Sequence, residues 1–321
     1  MALNYDYLST TTREIFIPKL IDNIYDSSAL LKILLMDERV FLKGGRKVVE
    51  PIKYAKSTSR GAFSGYDTFD VTPQDNFTAA EFGWANYYAN VSISGDDERK
   101  NMGEAAVLDL LAERVEDAEM TLKDLIADDL YTGTAAPSII GLSSAIGTTT
   151  PYGGISTTDF SGWVSGTDGT SHTSANMKDS TNASYIINLL QNAVRNATHL
   201  GKKPNLIVVP LFIWDIYENV LQANARYPKN KRQEMIADGG FNVLDFRGIP
   251  VVGDEKIPGT AGYVLNTEFM KLRIHPEANF SFTGFKNPVN QDAKIGQVIV
   301  TMQLTVNNRR MHYSFSALPT S

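Results

Sequence analysis

The feature that most constrains this chain is a stripe of apolar residues at helical spacing. Leu108, Leu111, Val115, Ala118, Leu122, Leu125 and Ile126 recur every three or four residues, which predicts one helix over residues 101–132. Asn101, with Glu104 three residues later, has the form of a capping box, and Gly133 follows as a stop. Some 30 residues at 1.5 Å rise make a rod on the order of 45 Å long. Its other face is acidic: Asp109, Glu113, Glu116, Asp117, Glu119, Asp124, Asp128 and Asp129 stand against only Arg114 and Lys123.

The segments around this rod differ in texture. Residues 1–40 open polar and then turn apolar-periodic from Ile15 to Leu35, with a helix expected to begin near Pro18. After the Gly44-Gly45 turn, Arg46 to Tyr54 reads as a strand, and Phe82 to Ile93 as a second one through its aromatic and β-branched residues at period two. The polar stretch Ser57 to Asp75 separates them, so residues 41–100 read as a long hairpin. So few apolar residues per unit length leave such a hairpin marginal in water, and it needs a partner surface. Residues 134–181 are rich in Thr, Ser and Gly and read as mostly irregular. Then come a helix from about Asn182 to Leu200, a buried strand at Leu206 to Val209, a helix from Leu211 to about Arg226, and strands at Ile249 to Val252 and Tyr263 to Leu265. That alternation predicts an α/β unit. The chain closes on strand-like text, Lys294 to Thr305 and Arg309 to Leu318.

Composition narrows function by exclusion. The chain has 321 residues, enough for a large core, and no cysteine, which removes disulfides, thiol catalysis and Cys-based zinc sites. Its net charge of −6 leaves no excess of cations to neutralise phosphates. The longest apolar run, Leu206 to Trp214, is too short to span a bilayer. Met1 to Tyr5 lacks the basic-then-apolar pattern of a secretory leader, so no signal peptide is expected, and the absence of cysteine suits an intracellular protein. Gly141-Leu-Ser-Ser-Ala is not a nucleophile elbow, and Gly239-Gly240 lacks the ending of a phosphate loop. His172, His199, His275 and His312 are scattered, so each is expected to be structural or at the surface. No catalytic, cofactor or metal residues are expected. One asymmetry remains. The first limb of the hairpin carries Lys43, Arg46, Lys47, Lys53, Lys56 and Arg60 against the single acid Glu50. A basic extended limb and an acidic helix can attract each other within a chain or between chains.

The order of elements resembles the major capsid proteins of tailed bacteriophages, with their Hong Kong 97-type α+β fold. Local text carries the likeness: Trp84 to Glu98 running into the long helix, Gly141-Leu-Ser-Ser-Ala-Ile with Tyr152-Gly-Gly-Ile after it, Phe246-Arg-Gly-Ile-Pro-Val-Val, and Asn290 to Gln297 with Asn307-Asn-Arg-Arg. The resemblance implies an N-terminal arm over residues 1–40 and an extended hairpin loop over 41–100. It implies a peripheral domain with the spine helix over 101–150, an axial α/β domain over 151–262, and a return to the peripheral domain over 263–321. It further implies a non-enzymatic virion protein, assembled in the host cytoplasm, whose main partner is itself in pentamers and hexamers. A separate scaffolding protein, a portal protein and a decoration protein are the other implied partners, around double-stranded DNA held without sequence-specific contacts and without a membrane. The loop would lie over a neighbouring subunit, where Lys53, Lys56 and Arg60 are expected to meet Glu113, Glu116 or Asp117 of its spine helix. Some family members form a lysine–asparagine crosslink. Lys53 or Lys56 with Asn307 or Asn308 have the right chemistry, but no crosslink motif matches and none is expected. An encapsulin-like compartment shell, which shares the fold, and another virion component are the alternatives.

Overall fold

The computed structural model describes residues 28–96, 104–148, 151–158, 160, 162–221 and 243–320. The chain enters it through a short helix, α1 (Ala29–Asp37), whose residues Ala29 to Leu35 are all buried except Lys32. A three-residue strand, β1 (Arg39–Phe41), follows, and then the hairpin of β2 (Lys47–Lys53) and β3 (Phe77–Gly83), paired from Lys47↔Gly83 to Lys53↔Phe77. The helix expected from Pro18 and the Asn101 cap lie outside the described residues.

A five-stranded sheet is organised by one long strand. β12 (Ala293–Val306) pairs on one side with all ten residues of β4 (Ala85–Ser94). On its other side it pairs with β10 (Met270–Ile274) and β11 (Ser281–Phe282), and β1 adds to β10 in parallel. Val298, Val300, Met302, Leu304 and Val306 are buried at strict period two, as are Ala85, Tyr87, Ala89, Val91 and Ile93 on β4. The long helix, α2 (Glu104–Thr132), packs on β4. Its buried stripe is Val115, Ala118, Leu122, Ile126 and Leu130, spaced by three and then four residues as the sequence predicts. Leu125, placed in that stripe by periodicity, is instead 44% exposed. Leu108 and Leu111 have side chains outside the described residues.

The single strand expected over Phe82 to Ile93 is two strands. The chain breaks at Trp84, leaves the hairpin and enters the five-stranded sheet. The buried positions accordingly switch from even numbers (Ala80, Phe82) to odd ones (Ala85, Tyr87).

The α/β unit is built on a six-stranded mixed sheet in the order β5 (Gly166–Asp168), β13 (Tyr313–Phe315), β9 (Gly262–Leu265), β6 (Leu206–Val209), β8 (Ile249–Gly253), β7 (Val243–Phe246). All four residues of β6 are buried, as a strand covered on both faces requires. Ile207, Val209, Val251 and Val264 face two helices, α5 (Ile186–Ala197) and α6 (Leu211–Leu221), after the short α3 (Leu142–Ala145) and α4 (Ser174–Lys178). Leu206, Val208, Val252 and Leu265 face the other way and join one continuous core with α1, α2, the hairpin root and the five-stranded sheet. Helix α5 is shorter than expected at both ends; at its start Asn182 Oδ1 accepts from Ser184 N and holds a turn. The strand expected over Arg309 to Leu318 is reduced to β13. Before it, Arg309–Met311 is a 3₁₀ turn that carries the Arg309 side chain inward.

Two buried polar joints tie segments distant in sequence to one another. Asp254, buried after β8, accepts at Oδ2 from Ser28 Oγ and from Tyr131 Oη, both at 2.6 Å, and at Oδ1 from Lys256 N at 3.0 Å. One carboxylate thus ties the entry to α1, the last turn of α2 and the six-stranded sheet. Arg309 is fully buried, and its guanidinium donates to the carbonyls of Ala145 (2.8 Å), Trp163 (2.9 Å) and Gly147 (3.0 Å). Burial lowers its pKa to about 10.

Candidate assembly surface

The root of the hairpin is built into the body. Val48, Ile52, Ala80 and Phe82 enter the main core. Glu50, buried between them, is paired with Arg273 of β10 and accepts from Thr305 Oγ1 of β12. Glu81 N donates to Gly153 O at 2.9 Å. Gly153 has φ +62, and a Cβ there would lie 2.6 Å from that of Ala80, so only glycine lets this turn approach so closely.

Beyond the root the support thins, among the described residues, to one ring contact, Tyr54 with Phe160 at 4.4 Å between centroids. No residue from Lys53 to Ala79 is buried. The two limbs are zipped by Tyr54 Oη donating to Asp75 O (2.7 Å), Thr58 Oγ1 to Gln74 Oε1 (2.9 Å) and Ser59 Oγ to Thr72 O (3.1 Å). The tip carries Phe63 (66% exposed), Tyr66 (105%), Phe69 (67%) and Val71 (87%), with Phe63 and Phe69 touching edge to face at 5.1 Å. Covering side chains of this size contributes roughly 1.5–3 kcal/mol each. Nothing in the sequence reading singled out these four. The signal was there as aromatic residues inside a Gly-, Ser- and Asp-rich stretch, where a solvated loop has no use for them.

Lys53, Lys56 and Arg60 are all exposed on the ascending limb, and none pairs with a carboxylate among the described residues. Lys53 Nζ lies 5.8 Å from the Phe77 ring. The opposite limb carries Asp67, Asp70 and Asp75, which makes the loop charge-segregated rather than simply basic. Of the other cations counted on this arm, Lys47 is used within the hairpin, 2.6 Å from Glu81.

The acidic face of α2 is partly neutralised inside the chain. Lys256 reaches Asp124 at 3.3 Å and Asp128 at 3.4 Å. Its slight burial pulls the ammonium pKa down, and the two carboxylates outweigh that and hold it above the ordinary value. Asp129 accepts from Tyr87 Oη at 2.8 Å. Asp117 is exposed, while the side chains of Glu113 and Glu116 lie outside the described residues. The two expected partners, basic limb and acidic helix, are not brought together within one copy among the described residues.

Lys53, Lys56, Asn307 and Asn308 do meet, on the wall of one cavity of about 700 Å3 that Arg310 and His199 also line. Among the described residues no carboxylate lines it. Two of the histidines are buried in the structure: His172 contacts Ser184 Oγ (3.1 Å), and His312 accepts at Nδ1 from Asn266 N (3.2 Å). Burial, with Arg309 adding to it, lowers His312 to about 3. Among the described residues, no three His, Asp or Glu side chains converge as a metal site would need.

No family model and no curated protein matches the sequence. Solved structures do match its shape. The capsid subunit of cyanophage A-1(L) aligns with a TM-score of 0.56 and 18% identity over 88% of this chain and 90% of its own. The capsid of Myoviridae phage XM1 gives 0.56 and 13% over 86% and 87%. The holo-SrpI encapsulin complex of Synechococcus elongatus PCC 7942 gives 0.53 and 10% over 91% and 88%. Agreement over nearly the full length of both partners, with identity that low, is a statement about architecture: the chain has the α+β, Hong Kong 97-type fold of phage capsid subunits.

Proposed function

We propose that this protein is the major capsid protein of a tailed bacteriophage, a non-catalytic subunit that associates through pentamers and hexamers into an icosahedral shell around double-stranded DNA. The observation that carries the reading is the distal loop. A zipped arm presents four exposed apolar side chains at its tip, and its three cations Lys53, Lys56 and Arg60 meet no carboxylate of their own copy among the described residues, on a fold otherwise seen in capsid subunits. In this reading residues 41–100 hold the loop, 101–150 and 263–321 the peripheral domain, and 151–262 the axial domain, with the exceptions that β4 joins the peripheral sheet and β9 and β13 join the axial one. Lys53, Lys56 and Arg60 meet carboxylates of an adjacent copy, with Glu113, Glu116 and Asp117 of its spine helix as the acceptors. The net charge of −6 suits a wall that does not grip the DNA it encloses. A separate scaffolding protein, a portal and a decoration protein complete the virion, assembled in the host cytoplasm.

Negative-stain microscopy of the expressed protein, alone and with a candidate scaffold, tests this. Closed icosahedral particles or capsomer rings support it, and a monomer under every assembly condition overturns it. The likeness to an encapsulin sustains one rival, a compartment shell. Particles that carry protein cargo rather than packaged DNA favour that rival.

A further inference from the structure

Resting on the shell-building reading, we propose that the tip of the loop docks in a cationic cavity on the α/β unit of the next copy around the ring. The cavity, of about 400 Å3, lies between the C-terminal half of α5, the Lys203–Asn205 segment and the β7–β8 turn. Arg195, Lys203 and Arg247 rim it, one from each segment, and among the described residues no carboxylate lines it. All three cations are exposed, and none pairs with a carboxylate among the described residues. The floor is apolar, with Val194, Ile249 and Pro250. Arg247 is held there in a left-handed conformation, φ +55, ahead of Gly248, with its guanidinium 5.6 Å from the Phe246 ring. The two-residue turn between the paired Phe246 and Ile249 requires positive φ at both Arg247 and Gly248, which fixes where the Arg247 side chain leaves the backbone.

The occupant is read from the loop. Residues 61–75 hold three acids, Asp67, Asp70 and Asp75, and no lysine or arginine, together with Phe63, Tyr66, Phe69 and Val71. Acidic and aromatic text is complementary to a cavity with a cationic rim and an apolar floor. The occupant belongs to another copy, because the Thr58–Gln74 and Ser59–Thr72 bonds hold the limbs side by side and keep the tip extended from its own body. Tip-into-cavity is a heterologous contact, the kind that closes into rings.

Charge reversal on each side tests it. One variant is Asp67→Lys with Asp70→Lys, the other Lys203→Glu with Arg247→Glu; every position is exposed, and thermal unfolding of each monomer checks the fold. Capsomer formation is followed by light scattering. Each variant alone is expected to need at least about tenfold more protein than wild type to reach half assembly. An equimolar mixture is expected to recover association, since each variant's tip now matches the other's cavity. Alternating copies close only even-numbered rings, so hexamers return and pentamers do not. A mixture no better than its components, with wild type assembling normally, overturns the docking site and leaves shell building intact. Rescue of the tip variant by Lys53→Glu with Arg310→Glu overturns it too, placing the tip at the other cavity. Wild type that never associates removes both readings.

Discussion

Cutting the loop back should separate folding from assembly. Replacing residues 57–73 by Asn-Gly keeps Tyr54, Asp75 and the whole β2–β3 pairing. No buried residue is removed, so no transfer free energy is lost. The side-chain bonds that disappear, Thr58–Gln74 and Ser59–Thr72, are exposed, and water replaces them at near-zero net cost. Closing a segment of about 8 residues instead of about 23 saves (3/2)RT ln(23/8), about 1 kcal/mol. The monomer should therefore melt unchanged or about 2 °C higher, measured by circular dichroism at a concentration where wild type is unassembled. The same protein should form no capsomers by light scattering or microscopy. A melting point lowered by more than about 5 °C would refute the reasoning, because it would mean the loop stabilises its own copy. Normal shells from the shortened chain would refute its assembly role.

Three further outcomes follow from the joints. Arg309→Met should cost about 3–5 kcal/mol in urea unfolding, since it strands the buried carbonyls of Ala145 and Trp163; a loss under 1 kcal/mol would show that water replaces the guanidinium. His312 is held neutral in the fold, down to about 3 from 6.5, so the unfolded chain takes up its proton first. Stability should then fall as pH drops from about 6.5 towards 3, by up to about 1.4 kcal/mol per unit; in His312→Gln that slope should flatten, and an unchanged slope from pH 6 to 4 would exclude His312 as its source. Ser28→Ala and Tyr131→Phe remove two donors to one oxygen of Asp254. Their double-mutant cycle should show a coupling of about 0.5–1 kcal/mol, and simple additivity would mean the two hydroxyls act independently.

What the sequence reveals and what it hides divide along physical lines. The stripe on α2 was legible because burial against a flat sheet selects one face, and β6 because a strand covered on both sides must be apolar throughout. Leu125 falls off the stripe because periodicity does not say where the sheet beneath ends. The break at Trp84 was hidden because Gly83-Trp84 keeps the local texture of a strand while the partner changes from β2 to β12, a non-local choice. The acidic face of α2 looked unopposed because its counter-ion, Lys256, comes from the far end of the chain. The basic limb, by contrast, needed only counting. The aromatic tip was readable in composition alone, but its meaning depends on exposure, which only the fold supplies.

The six-stranded sheet gives its two faces to different companions: alternate residues of β6, Leu206 and Val208 against Ile207 and Val209, point into separate cores. The units on either side are therefore not beads on a string. Turning one against the other would tear a layer of interlocked side chains, with Asp254 and Arg309 as rivets through it. A container wall assembled from such bricks has to change curvature at the mortar, by sliding or tilting whole copies, while each brick keeps its form.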